Sequence, residues 1–518
     1  MTAPTANPRS SSSHEVDVAD LATHGYHQRL NRSLGSFSSF AAGFSYISIL
    51  TGMFQLFGFG YGFGGPLFFW SWIIVLGGQF CVALMFAELS ARFPIAGSVY
   101  QWSKRIGSRP VSWMAGWTML VGSIVTVAAV AIAWQIVLPS IWSKLQFFNS
   151  GDATKDYVCN AVLLGTVLII ITTVINVLGV KVMSKINNVG VAAELIGVAI
   201  IIVLLLVHAR RGPGVVFHSE GAGPGLPGYG TLGLLVPIML GAVMPAYVMF
   251  GFDTAGSLAE ETKDPRKTTP RALLQALAAA GISGLLLLLF ALMSTKSLKL
   301  EDLGVGGLPS VLDDALGSSG AKLVLIDVAV AIFVCCLAIQ AAAVRIAFSM
   351  ARDHALPLGE RLAHVSEHRH SPAAPAIVSG VVAIAILVVN IGNSKLFLVV
   401  TSVSIILVYI AYLLVTVPTF MKRRTGWPED QGETGLFTLR KPWGLVVNVV
   451  AIAYGSLMAV NLIWPRHEIY GAGNYQWGGV LAVGVVLVVG LGYFYGVQQS
   501  KPISVAEEHR VQVPSAGS

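Results

Sequence analysis

The sequence predicts an all-helical membrane protein that crosses the bilayer twelve times. Of its 518 residues, 54% are hydrophobic and only 11% are charged, and the mean hydropathy is +0.71. Soluble domains carry about 25% charged residues, so this chain lacks the charge to cover a soluble surface. Apolar runs near twenty residues, the length that crosses about 30 Å of hydrocarbon, recur along the chain. The runs are continuous rather than alternating with period two, which excludes a membrane β-barrel. A soluble enzyme, a nucleic-acid-binding domain and a secreted disulfide scaffold are excluded with it.

The first segment, residues 1–33, begins with a polar stretch to Asp20 that has Ser10 to Ser13 in a row and no apolar leader core. That stretch, residues 1–20, reads as a disordered cytoplasmic tail rather than a cleaved signal. Spans are then expected at 36–58, 66–88, 112–140, 158–179, 187–208, 232–258, 271–293, 322–349, 374–392, 395–420, 443–464 and 476–498. The third is near 29 residues long and should tilt or project. With the first segment inside, 24 Lys and Arg fall on inside segments and 9 on outside ones. That asymmetry places both termini in the cytoplasm of a plasma (inner) membrane protein. The net charge of +7 is this flanking excess and implies no nucleic-acid partner.

Five spans are an odd number, so a second unit of five starts on the opposite side of the membrane. The expected organisation is an inverted repeat, 34–208 and 231–421, followed by two peripheral helices in 440–498 and a tail at 499–518. Corresponding spans of such repeats are interrupted at the binding site. Span one carries Ser48, Ile49, Leu50, Thr51 and Gly52 in mid-run, and span six carries Tyr247, Phe250, Gly251, Phe252, Asp253 and Thr254 behind Pro245. Small residues also serve ordinary helix packing, but the intramembrane acid in span six needs a partner or a water path.

Three segments carry a resemblance: Gly251 to Lys267 with Pro270 after span six, Ala87 to Tyr100 after span two, and Arg345 to Pro357 at the end of span eight. They resemble the amino acid–polyamine–organocation transporter superfamily over roughly residues 20 to 500. The entry Gly25 to Leu34 running into Phe44 to Gly52 looks like the amino acid/choline branch, which includes GABA and choline permeases. The resemblance implies a LeuT-like fold whose outer half of span one receives a substrate carboxylate at Leu50-Thr51-Gly52. It also implies that carbonyls of Tyr247 to Gly251 receive the amino group. Leu50 stands where the family has glycine. That narrows the pocket and keeps an ω-amino acid, an amine or choline in play. Tyr247, Phe250 and Phe252 would close over the substrate or stack on a cation.

The remaining acids sort by surroundings. Glu88 and Arg92 are spaced as a local ion pair. Glu260 and Glu261 lie beside Lys263 at the cytoplasmic interface, solvated or paired as an inner gate. Glu194 has no basic residue three or four positions away, and is either a proton carrier or a neutral acid bonded to a neighbouring helix. Asp253 would bind a proton, cap the inner half-helix or attract a cation. Asp327, early in span eight, is a weaker candidate.

No enzyme chemistry, cofactor or metal is expected. His354, His364, His368 and His370 share one loop by chance, and Gly212 to Gly230 lacks the Lys-Ser or Lys-Thr of a phosphate loop. Cys81, Cys159, Cys335 and Cys336 have no ligand or disulfide spacing. The expectation is a secondary active transporter for an amino acid, GABA, a polyamine or choline, in the lipid bilayer as monomer or homodimer. Proton coupling, with sodium behind it, is preferred; an exchanger, a passive facilitator or a receptor on the same fold is the alternative.

Overall fold

The computed structural model describes residues 13–226, 228–366, 371–389, 391, 396–429, 435–466 and 473–501. His368, His370 and the tail beyond residue 501 lie outside the described residues. Among the described residues the chain is helical without strands, and Leu34 and Thr262 form an isolated parallel bridge.

The helices run in order. α1 is Ser13–Thr23, α2 Ser36–Ile47, α3 Ile49–Gly64, α4 Phe68–Arg92 and α5 Ser98–Ile106. α6 is Arg109–Ala131, α7 Trp134–Ile141, α8 Ala153–Leu178 and α9 Val180–Val207. Short helices follow: α10 Tyr229–Leu232, α11 Leu235–Gly241, α12 Val243–Val248 and α13 Thr254–Ser257. Then come α14 Pro265–Ser294, α15 Leu300–Arg352, α16 Gly359–Leu362, α17 Ala373–Val389, α18 Leu396–Arg424, α19 Trp443–Ile463 and α20 Gly478–Tyr493.

Among the described residues nine helical stretches are long and apolar enough to cross a membrane, and Leu235–Val248 and Ala373–Val389 are shorter apolar helices. The first stretch, Ser36–Arg92, holds both the first and second expected spans. The expectation of twelve counts it twice and each short helix once. Local chemistry sets the boundaries. Asp152 caps α8 by accepting from Thr154 and Lys155 N–H, each at 3.1 Å. Pro265 opens α14 where a free N–H is not needed. α15 is interrupted at Gly307 and Gly317, both at positive φ. The long third span runs from Arg109 to Ile141. Its regular bonding is interrupted at Ile132 and Ala133, which keep helical dihedrals while the Gln135 and Ile136 N–H groups bond three residues back to the Ile132 and Ala133 carbonyls. Pro139, which lacks an N–H for Gln135, sits just beyond.

Helices approach closely where one side chain is missing. A Cβ on Gly78 would strike the Tyr454 ring, and one on Gly284 the Trp72 ring. The outer faces are apolar and exposed, as at Val189, Ile196 and Val203 of α9 and Val485 and Val488 of α20. Such faces suit lipid.

Two expectations are corrected at the face that carries both ends of the described chain. Residues 13–20, the described part of the expected disordered tail, are helical: α1 docks through Asp20 to Arg266 and Asp17 to the Asp264 N–H, and beyond it Leu21 and Tyr26 are buried against Ile95. These apolar anchors are too few to register as a helical period. Glu88 does not take Arg92 as its partner. It pairs with Arg423 of α18 and accepts the Leu439 N–H at 3.0 Å, because its side chain points inward while Arg92 reaches Thr438.

Candidate functional site

Span one breaks at Ser48, whose φ of 32° ends α2 and whose side chain starts α3 by accepting the Thr51 N–H. A serine at positive φ is sterically unfavourable, so tertiary contacts must hold it there. Span six breaks between α12 and α13, with Gly251 at φ 90°. Only glycine adopts that conformation without strain. The breaks face each other. A Cβ on Gly251 would overlap the Tyr46 ring, one on Gly52 would overlap Val248, and the rings of Tyr46 and Phe250 meet edge to face at 5.9 Å.

Ser48, Ile49, Leu50, Thr51, Gly52, Tyr247, Phe250, Gly251, Phe252, Asp253 and Thr254 are all buried around this junction. The Tyr247 hydroxyl and Thr254 Oγ1 have no hydrogen-bond partner there. Buried polar atoms are almost always paired, so these two mark unspent bonding capacity.

Asp253 precedes α13, but its side chain does not cap that helix. It accepts the Tyr412 hydroxyl at 2.6 Å and the Ser98 hydroxyl at 2.8 Å. Tyr412 also accepts the Gly251 N–H at 2.9 Å, so one phenol ties the break to the acid. Phe86, Phe252 and Tyr412 pack as a ring cluster beneath it. Sequence reading missed Tyr412, Ser98 and Tyr46. Within apolar runs a tyrosine reads as core, and only its mid-span hydroxyl hints otherwise.

Glu194 of α9 reaches the other break. Its Oε1 accepts the Ser48 hydroxyl at 2.9 Å and the Leu50 N–H at 3.3 Å. The start of α3, where a helix dipole favours an anion, is therefore met by the chain's own carboxylate. Leu50 is fully buried with its N–H directed into that contact. The Cys335 thiol of α15 donates to the Tyr46 carbonyl at 3.5 Å, beside the same break.

Glu260 and Glu261 lie elsewhere, at the chain-end face. The solvated alternative is corrected: both are fully buried. Their partner is not Lys263. Arg352 binds Glu260 through two bonds of 2.8 and 3.0 Å, and Arg345 binds Glu261 through two of 3.0 and 3.1 Å. Forked pairing of this kind is the strong form of the ion pair. Residues 26–34 lie across it. The Arg352 guanidinium sits 4.0 Å from the centre of the Tyr26 ring, and Gln28 donates to the Glu260 carbonyl. Tyr26 donates to Asp353 at 2.9 Å, and Lys104 binds Asp353 at 2.8 Å. Burial pushes the Asp353 carboxyl up, but Lys104 and Arg352 outweigh it and hold the group below the usual carboxylate range. Among the described residues no three His, Cys, Asp or Glu side chains gather as a metal would need.

The model of a family described as amino acid permease matches residues 34–489. Amino-acid permease BAT1 of Arabidopsis thaliana is 29% identical over 461 residues, covering 85% of this chain and 87% of the relative. The methylthioribose transporter of Bacillus subtilis is 29% identical over 345 residues, 65% of this chain and 71% of the relative. Amino-acid permease 2 of Neurospora crassa is 24% identical over 485 residues, 89% and 84% of the two chains.

Proposed function

The chain belongs to the amino acid permease family, and on that premise we propose that it is a proton-coupled secondary transporter working by alternating access. The family is one of multi-pass membrane transporters for amino acids or related small molecules, not of enzymes. The inverted repeat, a plasma-membrane location and cytoplasmic termini belong to the same proposal.

One observation carries it. Glu194 holds the Ser48 hydroxyl and the Leu50 N–H at the start of α3, the end of a half-helix that suits an anion. A substrate carboxylate arriving at Leu50-Thr51-Gly52 competes with Glu194 for those donors. Protonation of Glu194 removes its charge, weakens its claim on the donors and admits the substrate. Deprotonation reverses this and expels it. Proton and substrate are thereby tied to one set of bonds, as reciprocal coupling requires. A substrate amino group then meets the carbonyls of Tyr247 to Gly251, with Asp253 behind them.

Tyr247 closes the substrate side, and the Glu260 and Glu261 ion pairs form the inner gate. The names of the relatives set the first substrates to try, amino acids and methylthioribose, beside GABA, polyamines and choline. Purified protein is first screened against this set by thermal shift, then reconstituted. Accumulation above equilibrium under an inward proton gradient, abolished by a protonophore, is the expected result. Accumulation that follows sodium instead overturns proton coupling. Flux only against preloaded substrate identifies an exchanger, flux that never exceeds equilibrium a facilitator, and binding without flux a receptor.

A further inference from the structure

Glu194 spends one oxygen on the break and leaves the other, Oε2, buried and without a partner. Three residues along α9, on the same face and about 4.5 Å further along the axis, stands Gly197. The space its missing side chain leaves is filled by the carboxylate of Asp327 from α15: a Cβ on Gly197 would overlap that group. Asp327 Oδ2 is likewise buried without a hydrogen-bond partner. Neither acid forms an ion pair among the described residues, whereas Glu88, Glu260, Glu261 and Asp353 each have one.

The groups facing Glu194 are the Ser48 hydroxyl and the Leu50 and Ile49 N–H groups from the break, with Asp327 and the Cys335 thiol from α15. The helices α8 and α14 also pack on α9 but contribute none of the groups acting most strongly on the carboxylate. Two carboxylates set along one helix face in hydrocarbon, without a cation, repel each other and are poorly solvated. A proton on either acid removes the repulsion and leaves a single charge to be solvated.

We propose that Glu194 and Asp327 form a two-acid proton site in which Asp327, on the side away from the chain ends, passes the proton that Glu194 uses. In the transfer the O–H bond of the Asp327 carboxyl breaks as an O–H bond forms on Glu194 Oε2. Asp327 is left as carboxylate, Glu194 becomes a neutral acid, and the net charge is unchanged. The reading rests on Glu194 as the proton-coupling group and adds the residue that feeds it.

Infrared difference spectroscopy of the full-length protein in nanodiscs tests this without knowledge of the substrate. Wild type should lose its protonated-carboxyl bands in two coupled steps as pH rises. Asp327→Asn should convert the Glu194 band to a single step displaced by about one pH unit or more, the size of interaction that makes two acids titrate as a pair. Glu194→Gln should do the same to the Asp327 band. Asp327→Glu keeps an acid there and should keep two steps, and a melting temperature confirms that each variant is folded. An unchanged Glu194 band in folded Asp327→Asn overturns the pair. A band that responds to sodium chloride but not potassium chloride at fixed pH puts a metal cation there and also overturns it. Should the coupled steps appear while liposome flux ignores the proton gradient, the two-acid site stands and the proton-coupled function falls.

Discussion

At the scale of single residues, the site is built from groups whose roles depend on what they touch. Asp253 holds two hydroxyls and, among the described residues, pairs with no cation. Asp253→Asn keeps the shape and an oxygen for one hydroxyl but removes the charge. Uptake in liposomes should be lost with the melting temperature within a few degrees of wild type, and wild-type rates would deny the acid its role. Gly251 has both a positive φ and a tyrosine ring against it. Gly251→Ala should destabilise the protein by about 1–3 kcal/mol, the usual cost of a residue forced into a rare backbone region, read by thermal unfolding. Glycine, serine and aspartate at the breaks were legible because each has a backbone reason to stand in an interrupted helix. Tyr412 and Ser98 were not, since they lie 159 and 155 residues from Asp253 in sequence and only folding brings them there.

At the scale of elements, the end of α15 is fastened to the segment after α13. Arg345 and Arg352 are spaced seven apart, two turns of one face, and meet the consecutive pair Glu261 and Glu260. The sequence announced these charges but not their pairing, because partners 84 and 92 residues apart leave no local spacing to read. Removing one partner strands a buried charge. Arg352→Gln or Glu260→Gln alone should cost about 3–5 kcal/mol, and the double variant should recover much of that. Thermal unfolding of the three proteins in the same detergent decides the matter. An additive double loss would mean that the two side chains act separately. The third span likewise divides into α6 and α7 for a reason visible only in part from Pro139.

At the scale of the molecule, both ends of the described chain converge on one face, where Tyr26 and Gln498 flank residues 353–355. Composition and apolar runs located this chain in the bilayer, but residues 13–20 of the packed stretch 13–34 were read as loose, because the anchors there are isolated residues rather than a periodic face. His24 within it is held down to about 4 by burial and then by Arg105, with Arg266 acting the same way and Asp20 opposing them. Free of the fold it would titrate near 6.5. Above that value both states are neutral and nothing is lost. As pH falls from about 6.5 toward 4, the released state takes the proton first, so docking weakens across that window. Hydrogen exchange of residues 13–34 should therefore quicken between pH 7 and 5, after correction for intrinsic rates, and should do so less in His24→Gln.

The buried ion pairs Lys104–Asp353, Arg345–Glu261, Arg352–Glu260 and Arg423–Glu88 all lie toward this face, while Tyr46, Tyr247 and Phe250 meet at the breaks through rings. Desolvating ions becomes less costly with warmth, whereas apolar contact gains little. Heating should thus strengthen the electrostatic clasp relative to the aromatic one. On the alternating-access cycle proposed above, an Arrhenius plot of turnover should therefore bend as the limiting step passes from one closure to the other.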